Sequence, residues 1–96
     1  MFIVELTYNA PLEQVDALLE AHIGFLDQAY AAGVFLLSGR KQPRTGGIIL
    51  ARADSRQLLD QWLAQDPFWQ AGVAQYRVTE FIASRSAAAL SEFCHC

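Results

Sequence analysis

The chain has 96 residues, of which 53% are hydrophobic and 18% charged, and its formal net charge is −3. That length holds one domain with a single two-layer core, and the composition excludes a disordered chain. The acidic balance excludes a nucleic-acid or anionic-membrane binder that works through bulk charge.

The opening Met1-Phe2-Ile3-Val4-Glu5 has no basic start and no small-residue cleavage site, unlike a secretory signal. The longest uncharged run, residues 28–39, is 12 residues, whereas a membrane-spanning helix needs ~20. A cytoplasmic protein without membrane contact is expected.

From Phe2 to Tyr8 the residues alternate, with Phe2, Val4, Leu6 and Tyr8 on one side, as in a half-buried strand. Asn9-Ala10-Pro11 supplies a cap and an early-turn proline. From Leu12 to about Ala32 the period becomes helical, and Leu12, Val15, Leu18, Leu19, His22, Ile23, Leu26 and Tyr30 form an apolar stripe. Gly33 ends that helix. Val34 to Ser38 reads as a short strand, Gly39 to Thr45 as a polar connection, and Gly46 to Arg52 as a third extended segment.

Asp54-Ser55-Arg56-Gln57 reads as a capping box, with Asp54 as the cap and Gln57 reaching back. Leu58, Leu59, Trp62 and Leu63 then share one face of a helix. Asp66-Pro67 ends it, because the residue before proline avoids the helical region. Pro67 starts a short further turn through Phe68 and Trp69. Ala74 to Ile82 is the last strand. The order βαββαβ predicts an α+β, ferredoxin-like split-βαβ fold, with both helices on one face of a four-stranded antiparallel sheet.

The opposite face of the sheet is expected to carry Ile3, Phe35, Leu37, Ile49 and Phe81 among Glu5, Thr7, Gln75, Arg77 and Thr79. Five large apolar residues exceed what a monomer usually leaves in water. A homodimer with the sheets face to face is therefore expected.

His22 stands out in the apolar stripe, ~20° from the direction of Val15. An imidazole there loses hydration and needs a partner. Asp66 is the acid near the end of the second helix. Both helices of this fold start from the same sheet edge, and at 1.5 Å per residue His22 and Asp66 lie at depths of roughly 16 and 18 Å. Helix axes ~8–10 Å apart are then bridged by the pair. One reading is a catalytic dyad, with the carboxylate orienting one ring nitrogen and the other acting as general base or acid. The other is a satisfied core histidine beside an aspartate that caps a short helix.

Ser38-Gly39-Arg40-Lys41-Gln42-Pro43-Arg44 holds three of the seven basic residues. It reads either as a solvated turn or as a segment that draws an anionic small molecule toward the site. Ser38, Gly39, Arg40, Arg44 and Phe68 are the candidate substrate-binding residues, Phe68 as a wall. Ser38 has no base placed beside it by spacing. Gly46-Gly47 matches no phosphate-binding pattern. Both cysteines, Cys94 and Cys96, lie in the last three residues. Cys94-His95-Cys96 offers too few divergent ligands for a closed metal site. It reads as a frayed end, the alternative being a redox or metal role with a second chain. No metal and no cofactor is required.

His22 followed by Phe25-Leu26, the run Gly33-Val34-Phe35-Leu36-Leu37-Ser38-Gly39, then Gly46-Gly47-Ile48-Ile49, and Asp66-Pro67-Phe68 with Ala71-Gly72-Val73 resemble the YciI-like family (YCII-related domain). The resemblance runs over residues 1–82 and leaves 83–96 as a tail. It implies a dimeric α+β barrel and an active site built around a histidine and the Asp-Pro aspartate, which fall on His22 and Asp66. The family often has Ser-Gly-Pro or Ala-Gly-Pro after the second strand; here Arg40 takes the third position, and the proline is Pro43. The expected function is a small dimeric enzyme doing His–Asp acid/base chemistry on a small organic molecule: elimination, isomerisation or lactone/enol conversion. The alternative is a non-catalytic ligand binder or accessory protein using the same cleft.

Overall fold

The computed structural model describes residues 1–96. Its elements are β1 (Phe2–Tyr8), α1 (Leu12–Ala17), α2 (Leu19–Ala31), β2 (Phe35–Arg40), β3 (Gly46–Ala51), α3 (Arg56–Leu63), α4 (Pro67–Ala71) and β4 (Ala74–Glu80), followed by a 3₁₀ turn at Ala88–Phe93. The strands form one antiparallel sheet in the order β2-β3-β1-β4. This is the α+β, ferredoxin-like arrangement expected from the sequence. No helix is long and apolar enough to cross a membrane.

Register sets the core. Phe2, Val4 and Leu6 of β1 are buried toward the helices, and their neighbours across β3 are Ala51, Ile49 and Gly47. Val15, Phe25, Ala29, Leu59, Leu63 and Phe68 close over them from the helical layer. Gly46 lies so near β1 that a Cβ there would sit 1.8 Å from the Leu6 carbonyl oxygen.

Several expectations are corrected. Phe35 and Ile49 do not lie on the outer sheet face: they are 2% and 3% exposed, inside the core. Ile49 pairs with Val4, so strand alternation turns it inward. Phe35 pairs with Ala51 and Leu37 with Leu50, one residue out of step. The bulge at Leu36 puts Phe35 and Leu37 on opposite faces. Beyond it, Ser38 and Arg40 pair with Ile49 and Gly47 and face the helices. β2 also runs on to Arg40, two residues past its expected end.

The first helix is two helices. Leu18 leaves helical dihedrals (φ −103°, ψ 0°), and α2 continues from Leu19. The buried line of α2 becomes His22, Phe25 and Ala29, while Leu19 and Ile23 stay exposed. The α3 cap is Ser55, not Asp54: the Ser55 hydroxyl accepts from the Leu58 amide at 3.1 Å. At the end of the chain, Cys94 and Cys96 are joined by a disulfide. The Arg52 guanidinium lies 5.0 Å from the centre of the Phe93 ring, and the His95 amide donates to the Ala83 carbonyl.

Candidate active site

His22 and Asp66 meet between the helices. His22 Nδ1 is 2.8 Å from Asp66 Oδ1; Asp66 is 0% exposed and His22 9%. Two local devices place the carboxylate. Asp66 has extended dihedrals, as a residue before proline must, and it caps α4 by accepting the Phe68 amide on Oδ1 at 3.0 Å. The capping role and the histidine contact therefore coexist on one side chain. Gly72, in left-handed backbone (φ 68°), ends α4 and turns the chain into β4.

β4 supplies a residue that sequence reasoning missed. Tyr76 pairs with Leu6 and faces the helices. Its hydroxyl donates to Asp66 Oδ2 at 2.5 Å. Burial first, and the Asp66 charge and hydrogen bond next, push this phenol far above its ordinary range. It stays protonated and acts as a donor. A signal was available: a tyrosine at the buried parity of a strand needs a partner for its hydroxyl.

The imidazole is fixed in plane as well as at its edge. The Phe68 ring stacks on it, with centroids 3.9 Å apart and planes 8° from parallel. Nε2 makes no hydrogen bond, yet no buried side-chain polar atom is left unpartnered. Nε2 is therefore the accessible edge of the ring. His22 opens onto a cavity of about 300 Å³.

That cavity brings together every other site residue expected from the sequence: Ser38, Gly39, Arg40, Arg44 and Phe68. Its apolar wall includes Leu6, Leu19, Ile23, Leu26 and Ile49. The Ser38 hydroxyl is paired with the Tyr30 hydroxyl, not with a base. Asp16 and Tyr8 also line the cavity. The Arg44 guanidinium donates to Asp16 Oδ1 at 2.5 Å, and this hydrogen bond holds the Asp16 carboxyl below its ordinary range. Lys41 goes elsewhere, to Glu5 and Thr7 on the outer face. Two of the loop's three basic residues thus line the cavity and one does not.

The model of the YCII-related domain matches residues 1–82. The chain belongs to the YCII-related domain family. Among solved structures, this YCII-related chain is similar to 5-chloro-2-hydroxyhydroquinone dehydrochlorinase (TftG) from Burkholderia phenoliruptrix AC1100, in complex with 2,5-dihydroxybenzoquinone. Identity is 19% over 86% of this chain and 95% of that one, with a TM-score of 0.71. That likeness is one of fold. No curated protein matches this YCII-related sequence.

Proposed function

We propose that this YCII-related protein is an enzyme that moves a proton on a small organic molecule through His22 Nε2. The observation that carries the reading is the division of the imidazole: Nδ1 is engaged by Asp66 at 2.8 Å, and Nε2 is left unpartnered at the cavity. In this reading Nε2 takes a proton from substrate carbon or oxygen. The bond electrons move into the substrate and displace a leaving group or form an enolate. Asp66 then stabilises the imidazolium. Arg40 and Arg44 favour a ligand that carries or develops negative charge. Proton transfer of this kind needs no cofactor. Elimination, isomerisation and lactone/enol conversion all fit, and the dehydrochlorinase activity of the fold relative supports elimination.

The test is turnover of a panel of small phenols, halogenated hydroquinones and enol lactones by wild type, His22→Ala and Asp66→Asn. Loss of a general base is expected to lower kcat by roughly 10²–10⁴-fold. Intact turnover in both variants overturns the reading. Thermal stabilisation by a ligand with no product formed favours a binding protein instead.

The same reading has the protein working as a homodimer through the outer sheet face. Ile3, Leu37, Ile48 and Phe81 are all exposed there in the single chain, and such a patch is stabilised by burial against its own copy.

A further inference from the structure

Besides His22, the charged side chains that line the cavity are those of Arg40, Arg44 and Asp16. Arg44 is committed, because it is paired with Asp16. Arg40 enters no ion pair and no side-chain hydrogen bond. One positive charge is therefore left over at the cavity, and it belongs to Arg40.

Register says where that charge stands. Arg40, at the end of β2, pairs with Gly47, Gly47 with Leu6, and Leu6 with Tyr76. The four make one row across the helix-facing side of the sheet. Gly47 adds no side chain to the row, so the row is open beside Arg40, where the cavity lies. At the other end of the row Tyr76 holds Asp66, and Asp66 holds the imidazole. The imidazole is thus tied to edge strand β4, and Arg40 stands on edge strand β2. The wall is apolar, with Leu6 and Ile49 from the sheet and Leu19, Ile23 and Leu26 from α2.

A guanidinium is planar, and its paired N–H donors match the two oxygens of a carboxylate. An apolar wall favours the body of a ligand but cannot satisfy a second charge. A single surplus positive charge suits a monoanion. A phosphate monoester carries close to two negative charges at neutral pH, so one of them would go unmatched.

We infer, resting on the proton-transfer reading above, that the substrate is a small monocarboxylate with an apolar body, whose carboxylate is bound by Arg40 while its labile proton is presented to His22 Nε2. Arg40 holds the end of the molecule that does not react and so sets which molecules are accepted and how they lie. Arg44 contributes through its charge balance with Asp16.

Benzoate and benzamide share a shape and differ in charge, so calorimetric titration of both at low salt isolates the contribution of Arg40. Wild type is expected to bind benzoate at least tenfold more tightly than benzamide. The Arg40 Nε–H resonance, assigned against Arg40→Met, is expected to move as benzoate is added. Arg40→Met is expected to bring the two affinities within twofold, and Arg40→Gln gives the same comparison if that variant does not fold. Arg44→Met leaves the Asp16 charge bare and is expected to weaken benzoate; adding Asp16→Asn is expected to restore it. Four results overturn the proposal: no preference for benzoate in wild type, an undiminished preference in Arg40→Met, no restoration in the double variant, or phenyl phosphate bound more tightly than benzoate. Benzoate offers the imidazole no labile carbon-bound proton and yields no product. Its binding therefore separates failure here from failure of the proton-transfer reading, which turnover alone decides.

Discussion

The Phe68 ring covers one face of the His22 imidazole at a centroid distance of 3.9 Å. Together with the Asp66 contact at the ring's edge, this removes both rotations by which the imidazole could turn away from the cavity. Phe68 is also a core residue. Phe68→Leu keeps the volume filled and gives up the stack, so a loss of about 1 kcal/mol is expected in a urea titration. Phe68→Ala is expected to cost about 3–5 kcal/mol. The activity of Phe68→Leu should fall more than its stability implies, which is checked by comparing kcat with the unfolding midpoint.

Arg44 and Asp16 pair across the cavity mouth, with Asp16 exposed and Arg44 half-buried. The guanidinium favours the ionised carboxylate, so the Asp16 proton binds only at lower pH than usual. In Arg44→Met the Asp16 midpoint is expected to rise toward its ordinary value of 3.8, read by carboxyl ¹³C shifts. Salt should weaken the wild-type depression, since a pair with an exposed carboxylate is screened. The same variant should bind small anions about tenfold more weakly, a difference of ~1.4 kcal/mol.

Tyr76 is one of three tyrosines. Its folded pKa is raised above the ordinary 10.0, so the native state holds this proton more tightly than the unfolded chain. The stability it contributes is complete below that value and declines as the pH rises beyond it. An absorbance titration of the phenols should show one tyrosine that ionises only on unfolding. Tyr76→Phe should abolish that resistant step and leave the others.

Gly46→Ala would force a methyl group against the Leu6 carbonyl. The obstacle is backbone within the β1–β3 ladder, which cannot swing aside as a side chain can. A loss of about 3 kcal/mol or more is expected, with the urea m-value unchanged. Near-wild-type stability would show that β1 and β3 can separate locally.

Leu37 is 64% exposed on the outer sheet face. If that face joins two copies, Leu37→Glu should convert a dimer into a monomer at micromolar concentration in analytical ultracentrifugation. Far-UV circular dichroism should stay that of the wild type. A wild-type chain that sediments as a monomer removes the dimer.

Local pattern carried much of this architecture. Alternation in residues 2–8, the helical period that follows, and the Asp66-Pro67 break each reflect backbone preferences that act over a few residues. They were enough for the element order, and the order limits topology through handedness and short connections. The meeting of His22 and Asp66 was also legible, because helix rise converts residue counts into depths.

Facing was less legible. Phe35 and Leu37 share a parity in the sequence, yet the bulge at Leu36 separates them. The same bulge turns Ser38 and Arg40 to the cavity side. An extra residue in a strand is set by how the partner strand pairs, which no local pattern contains. The interruption at Leu18 likewise gives Phe25 and Ala29 the buried positions that an unbroken stripe would have given to Leu19 and Ile23.

The chain by itself determined which elements form, their order, and that a histidine and an aspartate lie level on neighbouring helices. Only the tertiary structure decided that Tyr76 completes the aspartate, that Phe68 clamps the imidazole, and that Lys41 leaves the cavity to Arg40 and Arg44. Those contacts join residues distant in sequence. Their geometry depends on register, bulges and helix breaks summed over the whole fold, whereas propensity and periodicity report only what neighbours along the chain prefer.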